Sequence, residues 1–305
     1  MPGRDSQDRV SRRKWLTCST SMMIGAGTMH QLFAAPAHEA GTAPAATQAP
    51  PDPYTEAGLA TMARKARYRL DEGLVFAWLF GTKYGQVDTG LRPLLNIESG
   101  AISRIENTSD GYAVTTWERT FYTALEDQTL LREWRNPYTG EVAPIRRGPS
   151  GPSTVHFLRD GTRVTPTELG GASLKAHTTT RLLRVDGDHV WLTNDSEAVV
   201  TRPFSNTAPF QVTEWSILHA HLSELLDPRT QIVEAEVNLQ EVTSWPAWMN
   251  MGERPGAVTS RGVGRKVIRF ESMPKKWRHL LAEHHPDIAR RPELAVQAQS
   301  APFGQ

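Results

Sequence analysis

Arg181-Leu182-Leu183-Arg184-Val185, then Asp186-Gly187-Asp188, then His189-Val190-Trp191-Leu192 reads as two strands and the turn between them. Asp-Gly supplies the positive φ that a tight hairpin requires. The signal recurs at Asp110-Gly111 and Asp160-Gly161, each flanked by strand-like sequence. Asn136-Pro137-Tyr138-Thr139-Gly140 is another turn, with Pro at its second position. Further out, Leu74, Phe76, Trp78 and Phe80 alternate with Val75, Ala77 and Leu79, a strand apolar on both faces. Val233, Ala235, Val237 and Leu239 alternate with Glu234, Glu236, Asn238 and Gln240, a half-exposed strand. Hairpins in succession without intervening helices imply an antiparallel meander. A curved sheet of about eight or more strands closes into a barrel or splits into a sandwich. The expected fold is therefore mainly β: an antiparallel meander closed into a lipocalin-like barrel, with a sandwich as the other solution. Helices belong at its N- and C-terminal periphery. One covers 55–70, capped by Thr55 with Leu59, Met62 and Ala66 at helical spacing; a short one lies near 221–226, and one spans 275–284 behind Pro274.

The chain has 305 residues, 39% apolar and 22% charged, which excludes a disordered polymer, a collagen and a membrane bundle. Ser11-Arg12-Arg13-Lys14-Trp15-Leu16 opens a weakly apolar run to Phe33, and Ala35-Pro36-Ala37 follows. A basic segment, an apolar segment and an A-x-A site in that order make residues 1–37 a signal peptide. The twin arginine makes it Tat-type, so the expected location is the periplasm or the exterior. The run is too short and polar for a stable membrane span, so no membrane insertion is expected after its removal. The single cysteine, Cys18, lies in this leader, which leaves the mature chain without a disulfide, a thiolate metal site or a cysteine nucleophile. Of 34 basic and 33 acidic residues the leader holds five and two, leaving 29 and 31. No positive field remains to hold a phosphate backbone, so nucleic acid is not an expected partner. Residues 38–53 read as an Ala/Pro-rich linker, 54–290 as a single domain, and 291–305 as a flexible tail.

Several blocks stand in order along that domain: Leu94-Leu95-Asn96-Ile97-Glu98-Ser99-Gly100, Trp117-Glu118-Arg119-Thr120-Phe121-Tyr122, Trp134-Arg135-Asn136-Pro137-Tyr138-Thr139-Gly140-Glu141 and Trp245-Pro246-Ala247-Trp248-Met249-Asn250-Met251-Gly252-Glu253-Arg254-Pro255-Gly256. Met273-Pro274 and His285-Pro286-Asp287 follow. Together they resemble the DUF1838 family, bacterial and often exported proteins defined by sequence rather than activity. The resemblance covers most of 65–290 and implies one domain. It carries over no reaction.

Three constellations can carry chemistry. By strand parity Glu118 shares a face with Tyr112, Val114 and Tyr122, and Glu214 shares one with Phe210, Val212 and Leu218. Carboxylates in an apolar lumen have raised pKa values suited to acid/base work; pairing with an arginine such as Arg119, Arg132 or Arg261 is the structural alternative. His219 and His221 share a strand face and so can share a metal, with a third ligand from His156, His177 or Glu214, although Glu214 has the opposite parity. Exposed histidines at a strand–helix junction are the simpler reading, and no metal is assigned. Trp134, Asn136, Trp248, Met249 and Arg254 are candidate ligand contacts: aromatic and thioether walls, with Arg254 to hold a polar group. The alternative is that they plug the barrel end as core. There is no phosphate-cradling Gly-rich loop, G-x-S-x-G elbow or H-E-x-x-H. The leading expectation is an exported β-barrel that binds a small, largely apolar molecule and transforms it through Glu118 and Glu214, as an isomerase, lyase or cyclase. A non-catalytic binding or carrier protein is the alternative, and a metal-dependent enzyme using His219 and His221 the second. No cofactor is named.

Overall fold

The computed structural model describes residues 52–87, 90–145, 151–164, 168–169, 172–201 and 209–297. Residues 1–37, expected to be an export signal, and most of the expected linker 38–53 lie outside these residues. The chain order is helix α1 (Glu56–Arg67), strands β1 (Gly73–Val87), β2 (Gly90–Asn107), β3 (Gly111–Thr123), β4 (Glu133–Arg135), β5 (Val142–Pro144), β6 (Ser153–Leu158), β7 (Arg163–Val164), β8 (Glu168–Leu169), β9 (Ala172–Asp186), β10 (His189–Thr201) and β11 (Phe210–His221). Then follow α2 (Leu222–Leu226), β12 (Ala235–Thr243), β13 (Ala257–Val267), α3 (Lys275–His284) and α4 (Pro286–Arg290).

Eleven strands form one antiparallel sheet in the order β7-β6-β3-β2-β1-β13-β12-β11-β10-β9-β8, and β4-β5 is a separate hairpin. The three Asp-Gly turns join β2 to β3, β6 to β7 and β9 to β10, with Gly161 at φ +84° and Gly187 at φ +58°. The sheet is strongly curled into a half-barrel. The mainly β meander is thus as expected, but among the described residues no ladder joins β7 to β8. These two edge strands are nevertheless neighbours in the chain. Val164 and Glu168 are four residues apart, so covalent reach holds them within about 14 Å at that point.

Alternation sets the two faces. The inner face carries Val75, Leu79, Ile97, Ile105, Tyr112, Val114, Val190, Leu192, Leu218 and Leu239, all buried. The outer face of β1–β3 carries Phe76, Ile102, Trp117 and Phe121, on which α3 lays Trp277, Leu280 and Leu281. Both faces of β1 are therefore apolar, each covered by a different layer. Residues 292–296, expected to belong to a flexible tail, form a 3-10 turn (Pro292–Val296) whose Ala295 and Val296 are buried in that same layer.

α1 closes one end of the half-barrel. Thr55 Oγ1 accepts the Gly58 N–H at 3.1 Å, satisfying one of the free donors at the helix start. Met62 and Ala66 pack on Val190, Leu192, Leu218 and Ala235. At its C-terminal end the Lys266 ammonium, from β13, donates to the Lys65 and Tyr68 carbonyls. Burial pulls the Lys266 pKa down to about 7, so the charge that would complement the helix dipole there is only partly formed at neutral pH. The 3-10 turn Ala247–Met249 and the β4–β5 hairpin close the other end, where Trp134, Trp248, Met249 and Met251 bury against Tyr122, Leu95 and Val258.

Candidate functional site

One rung of the sheet breaks the apolar pattern of the lumen. Successive ladder partners are Thr178, Ser196, Glu214, Glu241, Ser260 and Lys83, one from each of β9, β10, β11, β12, β13 and β1. All six side chains are buried. Opposite residues on antiparallel strands share a face, so this polar row points inward as a unit. Ser99 and Thr120, partners on β2 and β3, are buried too, and Glu118 lies beside them. Leu79, Lys83, Ile97, Ser99, Glu118, Thr120, Glu214, Leu239, Glu241 and Ser260 surround a cavity of about 20 Å³. That is room for about one water molecule.

Lys83 Nζ donates to Glu241 Oε1 at 3.2 Å and to Ser260 Oγ at 2.8 Å, and Ser260 donates to Glu241 at 3.0 Å. Burial works against the Lys83 ammonium, but Glu241 outweighs it and holds its pKa above the ordinary value. A lysine held charged is no general base, so Ser260 has no activating partner for nucleophilic chemistry. Glu118 differs from Glu241. It accepts from Ser99 at 2.8 Å and Thr120 at 3.3 Å and has no ion pair among the described residues. Burial pushes its carboxyl up to about 7; Glu241 adds to the rise, and the Ser99 and Thr120 hydroxyls and Lys83 oppose it. Glu214 stands directly across from Glu241, and its charge also reaches Arg67 and Arg163.

The two carboxylates expected from strand parity, Glu118 and Glu214, thus line one cavity. None of the cations first considered beside them is the one in the lumen. Arg119 and Arg261 have outer-face parity, and Arg132 follows the end of β3. The inward cations nearest these carboxylates are Lys83, Arg67 and Arg163, and Lys266 of β13 has the same inner-face parity at the α1 end.

The remaining candidates fall elsewhere. Trp134, Trp248 and Met249 pack together at the closed end, with the two indoles edge-on at 5.6 Å. Asn136 is buried there, donating to the Met249 carbonyl at 2.6 Å and accepting from the Tyr138 and Thr139 N–H groups. Arg254 is exposed and is not among the cavity residues. The profile of DUF1838, described as a protein of unknown function, matches residues 72–301. The chain belongs to the DUF1838 family. A search of curated proteins finds no match. The DUF1838-like blocks around Trp134 and Trp248 are thus one packed unit at one mouth of the half-barrel.

His219 and His221 do lie on one face, the outer one. His219 Nδ1 is 3.2 Å from Glu236 and its Nε2 is 3.0 Å from His189 Nδ1, while its ring stacks on Trp191. His221 Nδ1 is 3.3 Å from Asp188. Among the described residues no three His, Cys, Asp or Glu side chains are placed to hold a metal ion. No described helix is long and apolar enough to cross a membrane.

Proposed function

We propose that this DUF1838 protein is exported and uses the half-barrel lumen to bind a small molecule and transfer a proton to or from it through Glu118. The observation that carries the reading is a carboxyl at a cavity wall, held by two hydroxyls and without an ion pair among the described residues, while the neighbouring Lys83 is paired with Glu241; burial pushes its pKa up to about 7. A general acid or base is most effective with a pKa near the working pH. The neutral Glu118 carboxyl can donate to a carbonyl oxygen, and its carboxylate can take a proton from the carbon beside it. Leu79, Ile97 and Leu239 supply the apolar part of the wall. A molecule larger than water has to widen the cavity. The sheet has that freedom because among the described residues no ladder joins its two edge strands.

Two measurements test this. Carbon-13 titration of the Glu118 carboxyl should give a pKa near 7; a value in the ordinary carboxylate range ends the acid/base reading. Incubation with cyclohexanone in heavy water then reports proton abstraction as deuterium at the carbons beside the carbonyl. The wild type should accelerate exchange and Glu118→Gln should not. Saturable binding without exchange would instead make the protein a carrier of the same shape.

A further inference from the structure

Proton transfer at Glu118 leaves two inward cations unused. Arg67 is the last residue of α1. Arg163 is the ladder partner of Phe157, whose ring stacks on Tyr112 inside the curl, so Arg163 shares the inward face. Arg163 lies within electrostatic reach of Arg67, and both lie within reach of Tyr68 and Glu214. Burial lowers the pKa of each guanidinium.

Every other cation buried in the lumen has named partners. Lys65 donates to the Leu225 and Asp227 carbonyls, Lys83 to Glu241 and Ser260, and Lys266 to the Lys65 and Tyr68 carbonyls. Among the described residues Arg67 and Arg163 have no such hydrogen bonds. Arg67 Nε and Arg163 Nε and Nη1 are buried without a hydrogen-bond partner among the described residues. Glu214 balances one of the two charges and leaves one over. Water can accept the free N–H groups but cannot neutralise a charge. A buried cation without a counter-charge lowers stability, so the surplus one gains the fold nothing structural.

We propose that Arg67 and Arg163 form a clamp for the carboxylate headgroup of a small organic acid, so that the molecule bound in the lumen is a monocarboxylate. The guanidinium fork matches a carboxylate with two parallel N–H···O bonds. The single surplus charge calls for a monoanion, not a phosphate dianion. Tyr112, Val114 and Phe157 supply apolar wall beside the clamp, and Glu214 links it to the Glu118 cavity. This rests on the lumen being the binding site and adds what binds there.

The test is thermal melting of the full chain with straight-chain monocarboxylates from formate to octanoate, against sodium chloride and inorganic phosphate at equal ionic strength. At least one acid should raise the melting temperature saturably by roughly 5 °C or more, and chloride should not. Arg163→Gln should melt at or above the wild type without acid, because an uncompensated charge is gone, and should lose the response. Arg67→Lys keeps the charge but not the fork and should raise the half-saturating concentration at least tenfold. Arg254→Gln, an exposed position away from the cavity, should keep the response in full. No response to any acid, a stronger response to phosphate, or an unchanged response in Arg163→Gln overturns the clamp. A clamp that responds beside a Glu118 titrating in the ordinary range overturns only the proton-transfer reading. A Glu118 pKa near 7 with no acid response overturns only the clamp.

Discussion

Glu118 couples the stability of the protein to pH with a definite sign. Its folded pKa is raised from 4.5 to about 7. Between those values the folded chain holds a proton that the unfolded chain has released, so stability falls as pH rises through the window and levels off above it. The penalty above neutrality is of order 1–3 kcal/mol, reduced because the side chain is only partly buried. Glu118→Gln removes the titration and keeps the shape. Chemical denaturation should find the variant more stable than wild type at pH 8 and equal to it near pH 4.5; a constant difference across that range would show that Glu118 is not the group. Lys83 and Glu241 form a buried ion pair instead, with side chains 7% and 5% exposed whose charges neutralise each other. Lys83→Met or Glu241→Gln alone strands a buried charge and should cost about 3–5 kcal/mol, whereas Lys83→Met with Glu241→Leu should recover most of it. Urea midpoints of the three variants decide the point: additive losses in the double variant would mean that the two residues act independently.

At the scale of elements, α3 shows how closely a helix can lie on this sheet. A Cβ on Gly100 would meet the Trp277 ring at 2.3 Å, and the Trp277 indole N–H donates to the Arg119 carbonyl at 2.9 Å. Gly100→Ala should therefore lift α3 and lower stability by about 1–3 kcal/mol, with a shift in tryptophan fluorescence. Gly90→Ala, with no atom within 4 Å of the added carbon, should do neither. The helix itself is legible in the sequence behind Pro274, and so are Thr55 as a cap and each Asp-Gly hairpin, because these signals are local. The face of Glu118 and Glu214 is legible too, since parity along a strand needs no partner. Long-range register is not. Lys83 and Glu241 fall on the apolar phase of their own strands, with Val75, Ala77 and Leu79 before one and Ala235, Val237 and Leu239 before the other. A polar residue in phase with core positions was the available signal, but only the pairing of β1 with β13 and β13 with β12 turns those exceptions into one rung. Arg67 reads in sequence as an ordinary basic residue at a helix end. That it enters the lumen depends on where α1 docks.

The whole molecule is stitched together by its ends. β1, the first strand, lies between β2 and β13, the last, with Phe76 opposite Val267. Lys266 of β13 also holds the end of α1. Neither α1 nor β1 can complete its contacts until β13 has been synthesised, so the half-barrel forms late and from contacts far apart in sequence, a slow topology. Slow folding leaves open strand edges exposed, and export as an unfolded chain would repeat that exposure after transport. A route that carries folded cargo avoids it, which agrees with the twin arginine at Arg12-Arg13. The single cysteine is Cys18, so residues 38–305 have none, and folding before export would forgo no disulfide there. The full chain expressed in cells with a working Tat pathway should be recovered from the periplasm. The Arg12→Lys/Arg13→Lys variant should accumulate in the cytoplasm, with the same melting temperature as the exported protein apart from its leader. Fractionation followed by limited proteolysis reads both properties. Periplasmic recovery of the double-lysine variant would refute the twin-arginine reading, and a protease-sensitive cytoplasmic form would refute folding before export.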